Sequence, residues 1–118
     1  MKRPPKLSIL RGLLFLFDID NIYNAEKEEI IASKNINDEK ELTELLDTLM
    51  KPEFLSYTKL DRQWFIDTLG HYLSEEENFD SIFEKLTTYF DDEIENQRQF
   101  MKTLFNCLLR YELEQKIS

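Results

Sequence analysis

The sequence predicts an all-α protein, a single-domain bundle of five or six helices around a central C-terminal helix, and three observations carry that prediction. There is not one valine among 118 residues, and β-branched residues in general are thin, whereas Leu, Glu, Lys and Gln fill the chain. Two glycines and three prolines leave little material for the tight turns of a many-stranded sheet. Apolar residues recur at helical rather than alternating spacing through most of the length. A chain of this size fits one domain over residues 1–118 with one continuous core, preceded by a basic lead at 1–6.

Each element has its own signal. Pro4 and Pro5 suit an extended lead or a first helical turn, and Leu7 to Phe17 is apolar nearly throughout. Ile9, Leu10, Leu13, Leu14 and Phe17 follow helical spacing; LLFLFDI would equally suit a buried strand, and helix is favoured because no partner strand is evident. Asn21 or Asn24 is expected to cap a short helix ending at Ser33, with Ile22, Tyr23, Ile30 and Ile31 buried and Glu26, Glu28 and Glu29 near its positive end. Asn35 and Asn37 mark a loop. Asn37 should cap the next helix, whose Leu42, Leu45, Leu46, Leu49 and Met50 form a stripe, and Pro52 should end it.

Thr58 with Asp61 has the form of a capping pair, opening a helix with Leu60, Trp64, Phe65, Leu69, Tyr72 and Leu73 on its inner side. Gly70 within it costs roughly 1 kcal/mol relative to Ala, which implies a close neighbour or an early helix end. Ser74 with Glu77 has capping-box spacing before an apolar face of Phe79, Ile82, Phe83, Leu86, Tyr89 and Phe90. After a break near Asp91, the acids 91–95 should sit at the start of the last helix, with Ile94 beginning its core face. In that helix Phe100, Met101, Leu104, Phe105, Cys107, Leu108, Leu109 and Tyr111 cover more than half the circumference. The polar strip runs through Thr103, Asn106 and Arg110, so at least two other elements must pack against the helix.

Net charge is −9, from 24 acidic and 15 basic residues, with a pI near 4.6. That balance argues against binding nucleic acid phosphates or anionic lipid and for a basic partner. Lys2, Arg3, Lys6 and Arg11 all precede the first acid, Asp18, so the remainder carries −13. Cys107 is the only cysteine, which excludes an intramolecular disulfide, fits a reducing compartment and reads as a small core residue. The start resembles a signal peptide, but Arg11 interrupts the apolar run, no small-residue cleavage site follows, and DIDN comes next. The run is also short of the ~20 residues of a membrane span. The expectation is a soluble cytoplasmic protein without membrane association.

Several residue groups invite a chemical reading. LLFLFDIDN, ending in Asp18 and Asp20, resembles the hydrophobic-strand-plus-DxD signature of haloacid-dehalogenase-type phosphatases. That resemblance implies a nucleophile at Asp18, an acid–base at Asp20, a magnesium-binding pair at Asp91 and Asp92, and a parallel sheet. It covers nine residues, and Asn21 and Ile22 stand where the family has Gly or a small hydroxyl residue. Asp18, Asp20 and Glu29 occupy positions one, three and twelve of a calcium loop, but Ile22 and Tyr23 replace a ligand and the turn glycine. His71 is the only histidine, with no nucleophile motif beside it, and is expected to be a partly exposed structural residue. No catalytic residue, metal site or cofactor is assigned, and the chain is not expected to be an enzyme.

The feature with functional content is the acidic run: Glu75, Glu76, Glu77, Asp80, Glu84, Asp91, Asp92, Glu93 and Glu95 against the lone Lys85. A solvated helix surface has the same composition. Here, however, the acids cluster at two expected helix starts joined by a helix of about 15 to 20 Å, which would give a contiguous negative face. In size, single domain and charge the chain resembles bacterial immunity proteins, such as those of contact-dependent growth inhibition systems or nuclease colicins. The resemblance is one of class and rests on no shared motif. It implies an inhibitor that occludes the basic active site of a toxin or nuclease, with exposed aromatics such as Tyr57 or Tyr89 as anchors. The rivals are a helical adaptor that binds a partner helix through an apolar groove and a phage-encoded nucleic-acid mimic.

Overall fold

The computed structural model describes residues 3–19, 25–90 and 92–117. Its elements are α1 (Ile9–Leu14), continuing as a 3-10 turn (Phe15–Phe17), α2 (Ala25–Ser33), α3 (Glu39–Leu45), a π turn (Leu46–Met50), α4 (Lys51–Leu55), α5 (Lys59–Ser74), α6 (Asp80–Phe83) and α7 (Gln97–Ile117). The all-α bundle is as expected, and the run from Leu7 to Phe17 is a turn followed by helix from Ile9 rather than a strand. Among the described residues the only extended pairing is one isolated antiparallel bridge, Asp18 with Thr88. The expected cap at Asn21 or Asn24, and the side chains of Ile22 and Tyr23, lie outside the described residues.

α7 is the axis of the bundle. It packs against α5, α3, α4 and the π turn, so that Met101, Leu104, Leu108 and Tyr111 are wholly buried. Helical spacing places these four on one face, and the stripes of its neighbours, Leu42, Leu45 and Leu46 or Ile66 and Leu69, close over it. Cys107 is buried among them, as its apolar setting implied. Two details of the helix differ from expectation. Thr103 is buried rather than part of an exposed polar strip, because the start of α3 covers that side, while Leu109 stays 42% exposed.

The run from α3 to α4 does not stop at Pro52. The helical path continues to Leu55 because the preceding π turn shifts the hydrogen-bond register, and Pro52 falls in the first turn of α4, where its missing N–H is tolerated. The cap of α3 is Asp38, which accepts from Lys40 N at 3.1 Å; Asn37 is used elsewhere. Thr58 caps α5 as expected, accepting from Asp61 N at 3.2 Å. Leu60, one residue into that helix, is 75% exposed, so the inner side begins a turn later than the apolar spacing implied. Gly70 is explained by a close neighbour: a Cβ there would lie 3.1 Å from the Phe105 ring.

The largest departure lies between α5 and α7. Ser74 does not cap a new helix; its hydroxyl donates back to His71 O, and Glu76 and Phe79 both take positive φ. Phe79 is held in this conformation by its complete burial. Helix then lasts only over Asp80–Phe83. Past it, the main chain pairs with the end of the 3-10 turn, Ile19 N donating to Thr87 O at 2.8 Å and Tyr89 N to Phe17 O at 2.9 Å. The last helix begins at Gln97, capped by Asn96 Oδ1, which accepts from Gln99 N at 3.0 Å. The acids 92–95 therefore precede its first turn.

Candidate interaction surface

Two short segments carry the acidic residues, and side-chain bonds to main chain fix both at the N-terminal end of α7. On one side, Arg98 donates to Leu73 O and Glu77 O, each at 2.7 Å, closing the end of α5 onto the last helix. With its amide oriented to donate, Gln97 bonds Asp80 Oδ1 and Asn78 O, also at 2.7 Å. On the other side, Asn37 Nδ2 donates to Glu93 O and its Oδ1 accepts from Glu95 N, both at 2.9 Å. This pair of hydrogen bonds lays residues 93–95 against the start of α3. Glu75, Glu76, Asp80, Glu84, Asp92, Glu93 and Glu95 are exposed and Glu77 is half-buried; Asp91 lies outside the described residues. The helix expected to connect them is reduced to the single turn of α6, and the two groups flank the start of α7 instead.

The electrostatics of this end differ from the rest of the molecule. Arg3, Lys34, Lys51, Arg62 and Arg110 each pair with an acid elsewhere, at 2.5 to 3.0 Å. The bond from Arg3 holds the Asp61 carboxyl below its usual range, and that from Lys51 does the same for Glu114. Within the acidic run, the only side-chain contact with a basic residue among the described residues is Glu75 with His71 Nε2, at 3.3 Å, an ion pair only when the imidazole is protonated. The Glu77 carboxylate accepts from Phe79 N and so stabilises the turn. Arg98 is turned to carbonyl oxygens, and apart from Glu75 the surrounding carboxylates have no counter-ion among the described residues.

Between the starts of α3 and α7 lies a groove of about 310 Å³. Ile36, Leu42 and Phe100 form its apolar floor, Glu39 and Glu95 its two acidic walls, and Thr103 opens onto it. The sequence reading did not find this groove. Glu39 and Glu95 are 56 positions apart, and the bridge that joins their segments is made by Asn37, which the sequence marked only as a cap.

The other candidates are placed as follows. Asp18 is buried and its Oδ2 accepts from Thr87 N at 3.4 Å, while Asp20 lies outside the described residues. The parallel sheet implied by the phosphatase resemblance is absent among the described residues, where the corresponding segment is helical. His71 is exposed on α5, edge-on to Tyr72. Burial pushes the Cys107 thiol up. Among the described residues, no group of three or more His, Cys, Asp or Glu could hold a metal ion, and no helix is long and apolar enough to cross a membrane. Comparison with known proteins gave no matching family and no significantly similar curated protein or solved structure.

Proposed function

We propose that this chain acts by binding rather than by catalysis, as an immunity-type inhibitor whose acidic end covers the basic, nucleic-acid-binding site of a toxin or nuclease. The observation that carries this reading is the set of exposed carboxylates around the start of α7 that lack a cationic partner among the described residues, in a molecule whose other acids are repeatedly paired. Carboxylates held apart on a rigid frame stand in for substrate phosphates. They attract a basic surface over about a Debye length and raise the association rate. A phage-encoded nucleic-acid mimic would use the same physics. Partner and compartment, which we take to be a basic protein in the bacterial cytoplasm, belong to this proposal.

The test is calorimetric titration against the purified basic protein encoded beside this gene. Raising salt from 50 to 200 mM should weaken binding at least about tenfold, and duplex DNA should compete. Combined Glu76→Gln, Glu84→Gln, Asp92→Asn and Glu93→Gln substitutions should weaken it by a similar factor with the fold intact. Binding indifferent to both salt and substitution overturns the proposal. A second reading, a helical adaptor, is supported by Leu109 and Leu113, which stand one turn apart on α7 at 42% and 58% exposure. It requires salt-tolerant binding that Leu113→Glu abolishes.

A further inference from the structure

We infer that the groove between α3 and α7 receives a single basic side chain, arginine or lysine, from the partner, and so is the specific anchor within the acidic end. This assignment rests on the proposed function and locates its centre. Three properties of the groove point to such an occupant. Its floor of Ile36, Leu42 and Phe100 suits the alkyl stem of a long basic side chain, while a bare inorganic cation would gain nothing from it. Its walls place Glu39 and Glu95 where the charged head would lie, and neither carboxylate has a hydrogen-bond or ion-pair partner among the described residues.

The third property is Thr103. This residue is 3% exposed, lines the groove, and its hydroxyl has no hydrogen-bond partner among the described residues. Unlike Thr68 Oγ1, which is fully buried without a partner, this hydroxyl keeps contact with the groove, where an entering N–H donor would replace water on it. Thr48 shows the ordinary alternative, its hydroxyl donating back to Glu44 O at 2.8 Å. The walls are also set before binding, because the paired bonds from Asn37 to Glu93 O and Glu95 N fix their separation. A preformed site loses less freedom when it is filled.

A hexa-arginine amide peptide is the probe, titrated at low salt while backbone amide resonances are followed. Saturable shifts should centre on Ile36, Asn37, Gln99 and Thr103. The pair Glu39→Gln/Glu95→Gln should weaken binding about tenfold, against less than about twofold for Glu76→Gln/Glu84→Gln outside the groove. Thr103→Val, which keeps the shape and removes the acceptor, should weaken it about threefold. All four acids are exposed, so the variants should fold, and circular dichroism of each confirms it. Equal losses from the two acid pairs, or no effect of Thr103→Val, would overturn the groove assignment and leave the acidic-end proposal standing. Absence of any salt-sensitive binding of the peptide would overturn both.

Discussion

Along the C-terminal half of α7, Arg110, Tyr111, Glu112 and Glu114 meet Asp47, Arg62 and Lys51 at 2.6 to 2.8 Å, whereas at its N-terminal end the carboxylates of residues 92–95 and Glu39 face solvent without a cation among the described residues. The first arrangement depends on the π turn, which holds Asp47 so that one oxygen accepts from both Arg110 and Tyr111, each at 2.6 Å. The second depends on Asn37 and Gln97, neutral amides that hold chain segments without neutralising them. Cations that pair with carboxylates thus gather along the C-terminal half of α7, whereas at its start Arg98 closes the fold through carbonyl oxygens and leaves the charge of the acids available to another molecule. One end should then govern stability and the other recognition.

The largest test of that division is removal of what both ends share. Leu104→Ala or Leu108→Ala, each at a fully buried position, should cost about 2 to 5 kcal/mol in chemical denaturation and take binding down with the fold. Next comes the paired end alone. Arg62→Met leaves Glu112, whose side chain is 8% exposed, without its counter-charge. Breaking a fully buried pair costs about 3 to 5 kcal/mol, and the residual exposure of Arg62 reduces the expectation to about 2 to 3. The double variant Arg62→Met/Glu112→Leu should recover most of the loss. If it does not, packing rather than charge holds α5 to α7.

These residues also show what sequence could reveal. The faces of α3, α5 and α7 were legible because each is long enough for its period to be unambiguous, and the Thr58 cap because its partner lies three residues away. Residues 74–96 were misread for the opposite reason. Phe79, Ile82, Phe83 and Leu86 have helical spacing, but main-chain bonds from Ile19 and Tyr89, between segments about 70 residues apart, draw the chain out of helix. The acids were visible in composition, while their grouping was not, because it rests on Asn37 bonding to residues 56 and 58 positions on. Thr103 looked like surface for the same reason, since its cover comes from another element.

Alkaline titration probes the paired end more gently. Burial first, and the bond to Asp47 second, push the Tyr111 hydroxyl well above its usual 10.0. A group whose proton is held more tightly in the folded state contributes stability that is complete below the unfolded value and is lost as pH rises beyond it. Stability should therefore fall above pH 10, by about 1 kcal/mol at pH 11 from this residue. Tyr111→Phe should be less stable at neutral pH but show a shallower slope, and an unchanged slope would place the alkaline transition elsewhere. At the other end, Asn37→Ala removes two bonds to main chain in a solvent-accessible place and should cost about 1 kcal/mol. Its effect on hexa-arginine binding should exceed that modest cost, because the groove walls lose their spacing.

The smallest expected change in stability is the most informative. Neutralising Glu76, Glu84 and Glu93 removes no ion pair among the described residues and reduces repulsion in a chain of net charge −9. Stability should stay within about 0.5 kcal/mol of the parent or rise, most visibly at low salt, where like charges repel furthest. The same substitutions should weaken association with a basic partner. Stability unchanged and binding reduced would separate the two ends of α7 by function. A loss of stability comparable to that of Arg62→Met would show instead that the carboxylates hold the turns around α6, and that the acidic end is framework rather than surface.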